Sequence, residues 1–208
     1  MNKYLMEFIG TFFLVFTVGM TVIEPGAGAM APLAIGTALM VMVYAGGHIS
    51  GAHYNPAVTI AVLLRGKATI GDAMAYIVTQ IVAGIVAALM VGFLKGDVAI
   101  IPIQHDVVAS LIAEFITMFA LCFVVLTTAT AKATEGNSYF GLAIGFTVLV
   151  GAYAIGAVSG GAINPAVAFG ITTMGISAWA DLWIYLVAGI LAGAAAAMVF
   201  KTLHPDDV

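Results

Sequence analysis

The chain has 208 residues, 63% of them hydrophobic and 8% charged, and a mean hydropathy of +1.16, which excludes a soluble globular protein and makes it an integral membrane protein. Its formal net charge of −4 is spread thinly over loops and ends with no basic cluster, which speaks against nucleic acid or an anionic lipid surface as partner. The single cysteine, Cys122, permits no internal disulfide and reads as packing, and no Cys/His group has metal-ligand spacing, so no metal and no cofactor is expected.

The first apolar run covers about residues 4–23 and stops at Glu24-Pro25-Gly26, close to the roughly 20 residues a helix needs to cross a bilayer. Only Lys3 stands before it and no small-residue cleavage pattern follows, so it reads as a retained first span. A second run, about 32–47, leads into Ser50-Gly51-Ala52-His53-Tyr54-Asn55-Pro56-Ala57-Val58, and a short helical segment over 57–64 ends at Arg65-Gly66-Lys67. That segment is too short to cross and is expected to enter the membrane and return, as a re-entrant half-helix. The third span is about 72–94, where Ala83, Gly84, Ala87 and Ala88 supply the small residues that let membrane helices approach closely.

Residues 95–107 hold the one sizeable mid-chain polar stretch, with Asp97, Pro102, Gln104, His105 and Asp106, and read as the hinge between halves. The second half then repeats the first. Span four is about 108–131, a loop carries Lys132, Glu135, Gly136 and Asn137, and span five is about 139–158. After Ser159-Gly160-Gly161-Ala162-Ile163-Asn164-Pro165-Ala166-Val167 come a half-helix at 166–174 and span six at about 179–203.

Spacing establishes the duplication. Leu33-Ala34-Ile35-Gly36 lies 22 residues before Asn55 (55 − 33), and Leu142-Ala143-Ile144-Gly145 lies 22 before Asn164 (164 − 142). At the same offset of 109, Tyr44 matches Tyr153, Gly47 matches Gly156 and Ser50 matches Ser159, while Glu7-Phe8-Ile9 matches Glu114-Phe115-Ile116 at 107. Three spans per half force the second half to enter from the opposite face. The expected architecture is an all-α membrane protein of six transmembrane helices plus two re-entrant half-helices. It forms one domain over 1–208, made of inverted repeats at 1–95 and 107–208 joined by a linker at 96–106. With the N-terminus inside, Lys3, Arg65, Lys67, Lys132 and Lys201 fall inside and Lys95 alone outside, as the positive-inside rule asks.

In each Asn-Pro-Ala triad, proline suits the first helical position, where its missing N–H would have no partner in any case. Asn55 and Asn164 then become N-caps, each carboxamide oxygen tied to first-turn N–H groups and each NH₂ left free to point at a solute beside a positive helix end. One Asn-Pro alone would read as a turn; two in matched contexts do not. Glu7 and Glu114 are intramembrane carboxylates and thus functional candidates. His48 and His53 flank the first triad. His48 reads as a loop anchor or a pore-mouth donor, with a pH gate as the alternative. Tyr44 and Tyr153 read as interface or packing aromatics, and Arg65 and Lys67 as solvated charges that suit a half-helix C-terminus. No nucleophile setting and no phosphate loop emerges, so an enzyme is not expected.

Taken together, His48-Ile49-Ser50-Gly51-Ala52-His53-Tyr54-Asn55-Pro56-Ala57-Val58-Thr59 and Asn164-Pro165-Ala166, set among six spans, resemble the aquaporin (major intrinsic protein) family over essentially the whole chain. The resemblance implies a homotetramer with one pore per protomer, in which Asn55 and Asn164 hydrogen-bond the permeating molecule. It also implies that Glu7 and Glu114 brace the re-entrant loops. Two facing helix N-termini would oppose cations, hydronium included. The family's filter positions correspond to Ile35, Ala152, Gly161 and Val167. Strict water channels usually carry an aromatic, a histidine and an arginine among these, and this chain has none of them. A wider, more apolar constriction follows, similar to that of some broad-specificity plant vacuolar members.

The expected function is a passive channel for water and small uncharged solutes. The alternative is a glycerol, ammonia, urea or hydrogen peroxide facilitator with low water selectivity. A secondary transporter coupled through Glu7 and Glu114, or a closed-pore junction protein, are further readings. Both termini are expected in the cytoplasm and the protein in the plasma membrane.

Overall fold

A computed structural model of the chain describes residues 1–104 and 106–207, so His105 of the linker and Val208 lie outside the described residues. Among the described residues there are eight α-helices and no strand: α1 Asn2–Val22, α2 Ala31–Ser50, α3 Pro56–Leu64, α4 Ile70–Lys95, α5 Val107–Val125, α6 Phe140–Ser159, α7 Pro165–Thr173 and α8 Leu182–Leu203. Six of them, all but α3 and α7, are long and apolar enough to cross a membrane. Between its two end turns the backbone N–H and C=O groups of such a span pair along the helix, which is what hydrocarbon demands. The fourth span does not end as a plain α-helix. A π-helical turn over Leu126–Thr130 follows α5, and the Thr127, Thr128 and Thr130 hydroxyls donate to carbonyls three or four residues back.

The repeat is visible in the helix bounds. α2 and α6 begin at 31 and 140 and end at 50 and 159, an offset of 109 at both ends. α3 and α7 run 56–64 and 165–173, with the same offset. α2 packs against α6 where Gly36 and Gly145 let the backbones touch: a Cβ on Gly145 would lie 2.5 Å from the Gly36 carbonyl oxygen. Tyr44 of α2 accepts from Leu142 N and donates to Ser138 O at the start of α6, while Tyr153 of α6 donates to Ala29 O at the start of α2. Both tyrosines, expected as interface or packing aromatics, are half-exposed and hydrogen-bond the opposite half.

Each half-helix lies on the long helix of the other half. A Cβ on Gly84 of α4 would sit 2.6 Å from Ala166 O in α7, and one on Gly193 of α8 would sit 2.6 Å from Ala57 O in α3. These are small-residue contacts of the kind that stand in for the hydrophobic effect between helices in lipid. They fix where the two short helices begin, and hence where the triads stand.

Arg65 corrects the sequence reading. It is not a solvated charge: its side chain is 1% exposed, 2.8 Å from Asp207, and stacked 4.6 Å over the Phe200 ring. Asp207 also accepts from Lys132 N at 2.7 Å, so the segment after α8 ties the end of α3 to the turn before α6. The Lys132 backbone N–H first, and then the Arg65 guanidinium, hold the Asp207 carboxyl below the usual carboxylate range.

Candidate functional site

The two re-entrant loops are built to a common plan. Gly51 and Gly160 end α2 and α6 in the left-handed region, at φ +84° and +86°, the usual glycine stop. Three residues on, Tyr54 and Ile163 also sit at positive φ, +48° and +52°, a costly conformation for residues with a Cβ and most of all for a β-branched one. What holds them there is a buried carboxylate on each side. Glu7 accepts from Ser50 Oγ (2.7 Å), His53 N (2.9 Å), Tyr54 N (2.7 Å) and Gln80 Nε2 (2.8 Å). Glu114 accepts from Ser159 Oγ (2.7 Å), Ala162 N (3.0 Å) and Ile163 N (2.8 Å). Tyr76 and Tyr185 add one bond each, to Ser50 O and Ser159 O, both at 2.7 Å.

With the backbone so turned, Asn55 and Asn164 cap the half-helices. Asn55 Oδ1 accepts from Ala57 N at 2.8 Å, and Asn164 Oδ1 from Ala166 N at 2.8 Å and Val167 N at 3.4 Å. Pro56 and Pro165 take the first helical position in each. The NH₂ groups, however, are not wholly free. Asn55 Nδ2 donates to Ile163 O at 3.0 Å, and Asn164 Nδ2 donates to Tyr54 O at 2.9 Å. Each asparagine therefore spends one N–H on the carbonyl that the other loop's strained residue presents, which leaves one N–H per NH₂ beyond that bond.

That cavity, of about 220 Å³, is lined by Ile35, Ala152, Gly161 and Val167 together with Asn55 and Asn164. Ala57 and Ala166 are fully buried behind the asparagines. Among the residues lining it, the polar side chains are His53, Asn55 and Asn164, and none carries a fixed charge. Ile103 of the linker reaches the same wall, anchored by its N–H to Ile176 O at 2.9 Å. A second cavity, of about 630 Å³, lies toward the face that carries Lys67 and Lys132 and is lined by His48 as well. His53, Val125 and Ile144 line both, so the two cavities adjoin at their side chains. His53 Nδ1 is 3.1 Å from Thr59 Oγ1, which in turn receives Gln80 Nε2 at 3.1 Å.

Sequence reasoning picked out neither Gln80, Thr59, Tyr76 nor Ile103. Gln80 and Tyr76 did carry a signal, as polar side chains inside an apolar span. Ile103 carried none, being one isoleucine among several in the linker.

Several comparisons bear on this geometry. The sequence profile of the family described as Major intrinsic protein matches residues 1–200. Aquaporin NIP1-2 of Arabidopsis thaliana is 35% identical over 224 residues, covering 100% of this chain and 76% of that protein. Glycerol uptake facilitator protein-like 6 of Lactiplantibacillus plantarum is 36% identical over 216 residues, covering 100% of both. The X-ray structure of the aquaglyceroporin from Plasmodium falciparum superposes with a TM-score of 0.79 at 19% identity, covering 98% of this chain and 97% of that one, a likeness of fold. The six spans, the paired half-helices and these relatives agree: the chain is a multi-pass membrane protein and belongs to the major intrinsic protein family.

Proposed function

We propose that the chain, acting as one channel domain over 1–208, passes water and small uncharged solutes down their gradients through the two adjoining cavities. The observation that carries this is the pair of asparagine-capped half-helices whose N-termini meet at a cavity without fixed charge. Each nine-residue helix contributes a partial positive charge at its start, and each asparagine keeps one N–H for the passing molecule. Together they offer donors to an oxygen or a lone pair and repel a cation.

Ile35, Ala152, Gly161 and Val167 form the filter on this reading. With no arginine or histidine side chain on these four, the filter sorts uncharged solutes by width, and its wall is apolar. That favours a permissive channel over a strict water channel, and glycerol, urea, ammonia and hydrogen peroxide are the solutes to test. The name of the Lactiplantibacillus plantarum relative, a glycerol uptake facilitator-like protein covered end to end, supports the same choice. Glu7 and Glu114 act as braces, and His48 and His53 stand at the wider mouth. A homotetramer in the plasma membrane with both termini in the cytoplasm completes the proposal. It is supported by the family resemblance and by Lys67 and Lys132 lining the same mouth.

The test is stopped-flow light scattering on purified protein in liposomes, comparing water, glycerol, urea and ammonia. Permeability above that of empty liposomes for water and at least one of the other solutes is expected, unaltered by an imposed proton gradient. Uptake that follows the proton gradient would instead favour a secondary transporter, and no flux at all a closed-pore junction protein.

A further inference from the structure

The two loops share a brace but not what lies behind it. In the first half Glu7, Gln80, Thr59 and His53 form one hydrogen-bonded chain that ends at a ring lining both cavities. At the 109-residue offset the counterparts of Gln80, Thr59 and His53 are Gly189, Ala168 and Ala162. Glu114 nevertheless turns its loop with Ser159 and two backbone N–H groups alone. The chain of polar side chains is therefore not needed to form a re-entrant loop. What it reaches, and the second half lacks, is the imidazole.

The donor arithmetic along the chain favours one arrangement. A carboxylate only accepts, with about four lone-pair sites, and Glu7 has four donors. Gln80 must therefore turn its NH₂, not its oxygen, toward Glu7, and the second N–H of that group goes to Thr59 Oγ1 at 3.1 Å. The Thr59 hydroxyl faces three acceptors, Asn55 O at 3.0 Å, His53 Nδ1 at 3.1 Å and Gln80 Oε1 at 3.5 Å; giving its proton to Asn55 O, four residues back, avoids setting lone pairs of the two oxygens against each other at that distance. With its proton so placed, Thr59 accepts from His53 Nδ1, at 3.1 Å. Nδ1 then carries the ring proton in this arrangement, which leaves Nε2 of the neutral ring as an acceptor. Nε2 has no hydrogen-bond partner among the described residues, and it is not one of the polar atoms sealed without a partner.

We propose that Thr59 and Gln80 are positioning residues that hold His53 in its Nδ1–H tautomer, so that Nε2 stands in the channel as a fixed acceptor beside the Asn55 and Asn164 donors. A permeating molecule that accepts from an asparagine N–H meets, one step toward the wider mouth, a group that can take only an N–H or O–H from it. The side chain thus selects for solutes that both accept and donate, and it orients them as they leave the centre. The inference rests on the channel reading above.

The test uses the full chain, with ring-¹⁵N-labelled histidine, in liposomes at neutral pH. Solid-state NMR reports which ring nitrogen is protonated, and the His53 signal is the one lost in His53→Gln. The wild type is expected to show Nδ1 protonated and Nε2 bare, Thr59→Val a mixture of both tautomers, and Thr59→Ser the wild-type pattern. In the same vesicles, channel-mediated water permeability is expected to fall about fivefold in Thr59→Val, the factor carried by one ordinary hydrogen bond, and to recover in Thr59→Ser. A wild-type spectrum with the proton on Nε2, or a Thr59→Val spectrum identical to wild type, overturns the positioning. A wild type with the expected spectrum that conducts nothing contradicts the channel reading instead, so the two failures are distinguishable.

Discussion

Asn55 Nδ2 donates to the carbonyl oxygen of Ile163 at 3.0 Å, across 108 residues of sequence, and Asn164 returns the bond to Tyr54 at 2.9 Å. The two triads are thus locked to each other as well as to their own helices. The carbonyls that receive these bonds come from the two residues held at positive φ by Glu7 and Glu114. Brace, strained residue, cross-bond and cap form one mechanical unit in each direction.

Replacing Asn164 by alanine removes a cap worth about 1 kcal/mol and a cross-bond of about 1 kcal/mol. The expected loss is about 2 kcal/mol in a reversible detergent unfolding titration. Because the two asparagines brace one another's loops, Asn55→Ala with Asn164→Ala should cost less than the sum of the single variants. Strict additivity would mean the loops are independent.

Glu7→Gln and Glu114→Gln each place an NH₂ where the carboxylate receives N–H donors. Hydrogen bonds to a charged group are worth about 1.5–3 kcal/mol each, so each change should destabilise by at least about 2 kcal/mol. Glu7 should be the worse of the two, since Gln80 adds a fourth donor there. Equal losses would remove Gln80 from the account.

Gly193→Ala puts a Cβ 2.6 Å from the Ala57 carbonyl oxygen and should cost about 1–3 kcal/mol through overpacking. Gly92→Ala, on the exposed face of α4 with no neighbour within 4 Å, should instead gain about 0.5–1 kcal/mol from helix propensity. Thermal melts of the two side by side separate close approach from propensity; destabilisation by both variants would undo the packing argument.

The clasp at Asp207 should depend on pH. Its folded-state pKa lies below the ordinary carboxylate value, so its contribution is complete above the unfolded-state pKa near 4 and is lost as pH falls through the lowered one. Proteolysis of the segment after α8 should be slow at neutral pH and accelerate only in strong acid. Asp207→Asn, which leaves Arg65 buried without its countercharge, should bring the fast cleavage to neutral pH. A cleavage rate insensitive to both would show that the ion pair does not hold the segment.

How much of this was legible beforehand follows from the range of each interaction. The spans, the Asn caps and the 109-residue duplication are local or periodic properties, and they could be read directly. The cross-bond of each asparagine could not, because its acceptor lies on the opposite loop and is exposed only by a positive φ at Tyr54 or Ile163. Arg65 misled for a similar reason. Beside Gly66 and Lys67 it resembles any solvated turn, and its burial depends on Phe200 and Asp207, more than 130 residues away. Ile103 reaches the cavity wall only because the linker folds back onto Ile176.

The most direct test of the account is Val167→Arg in liposomes, with water, urea and glycerol followed by stopped-flow light scattering. A long, charged side chain in the cavity that holds Ile35, Ala152 and Gly161 should cut glycerol and urea permeability at least about tenfold, the effect of a barrier raised by 1.4 kcal/mol, and water much less. Solute permeabilities unchanged from wild type would place the path elsewhere and contradict the account.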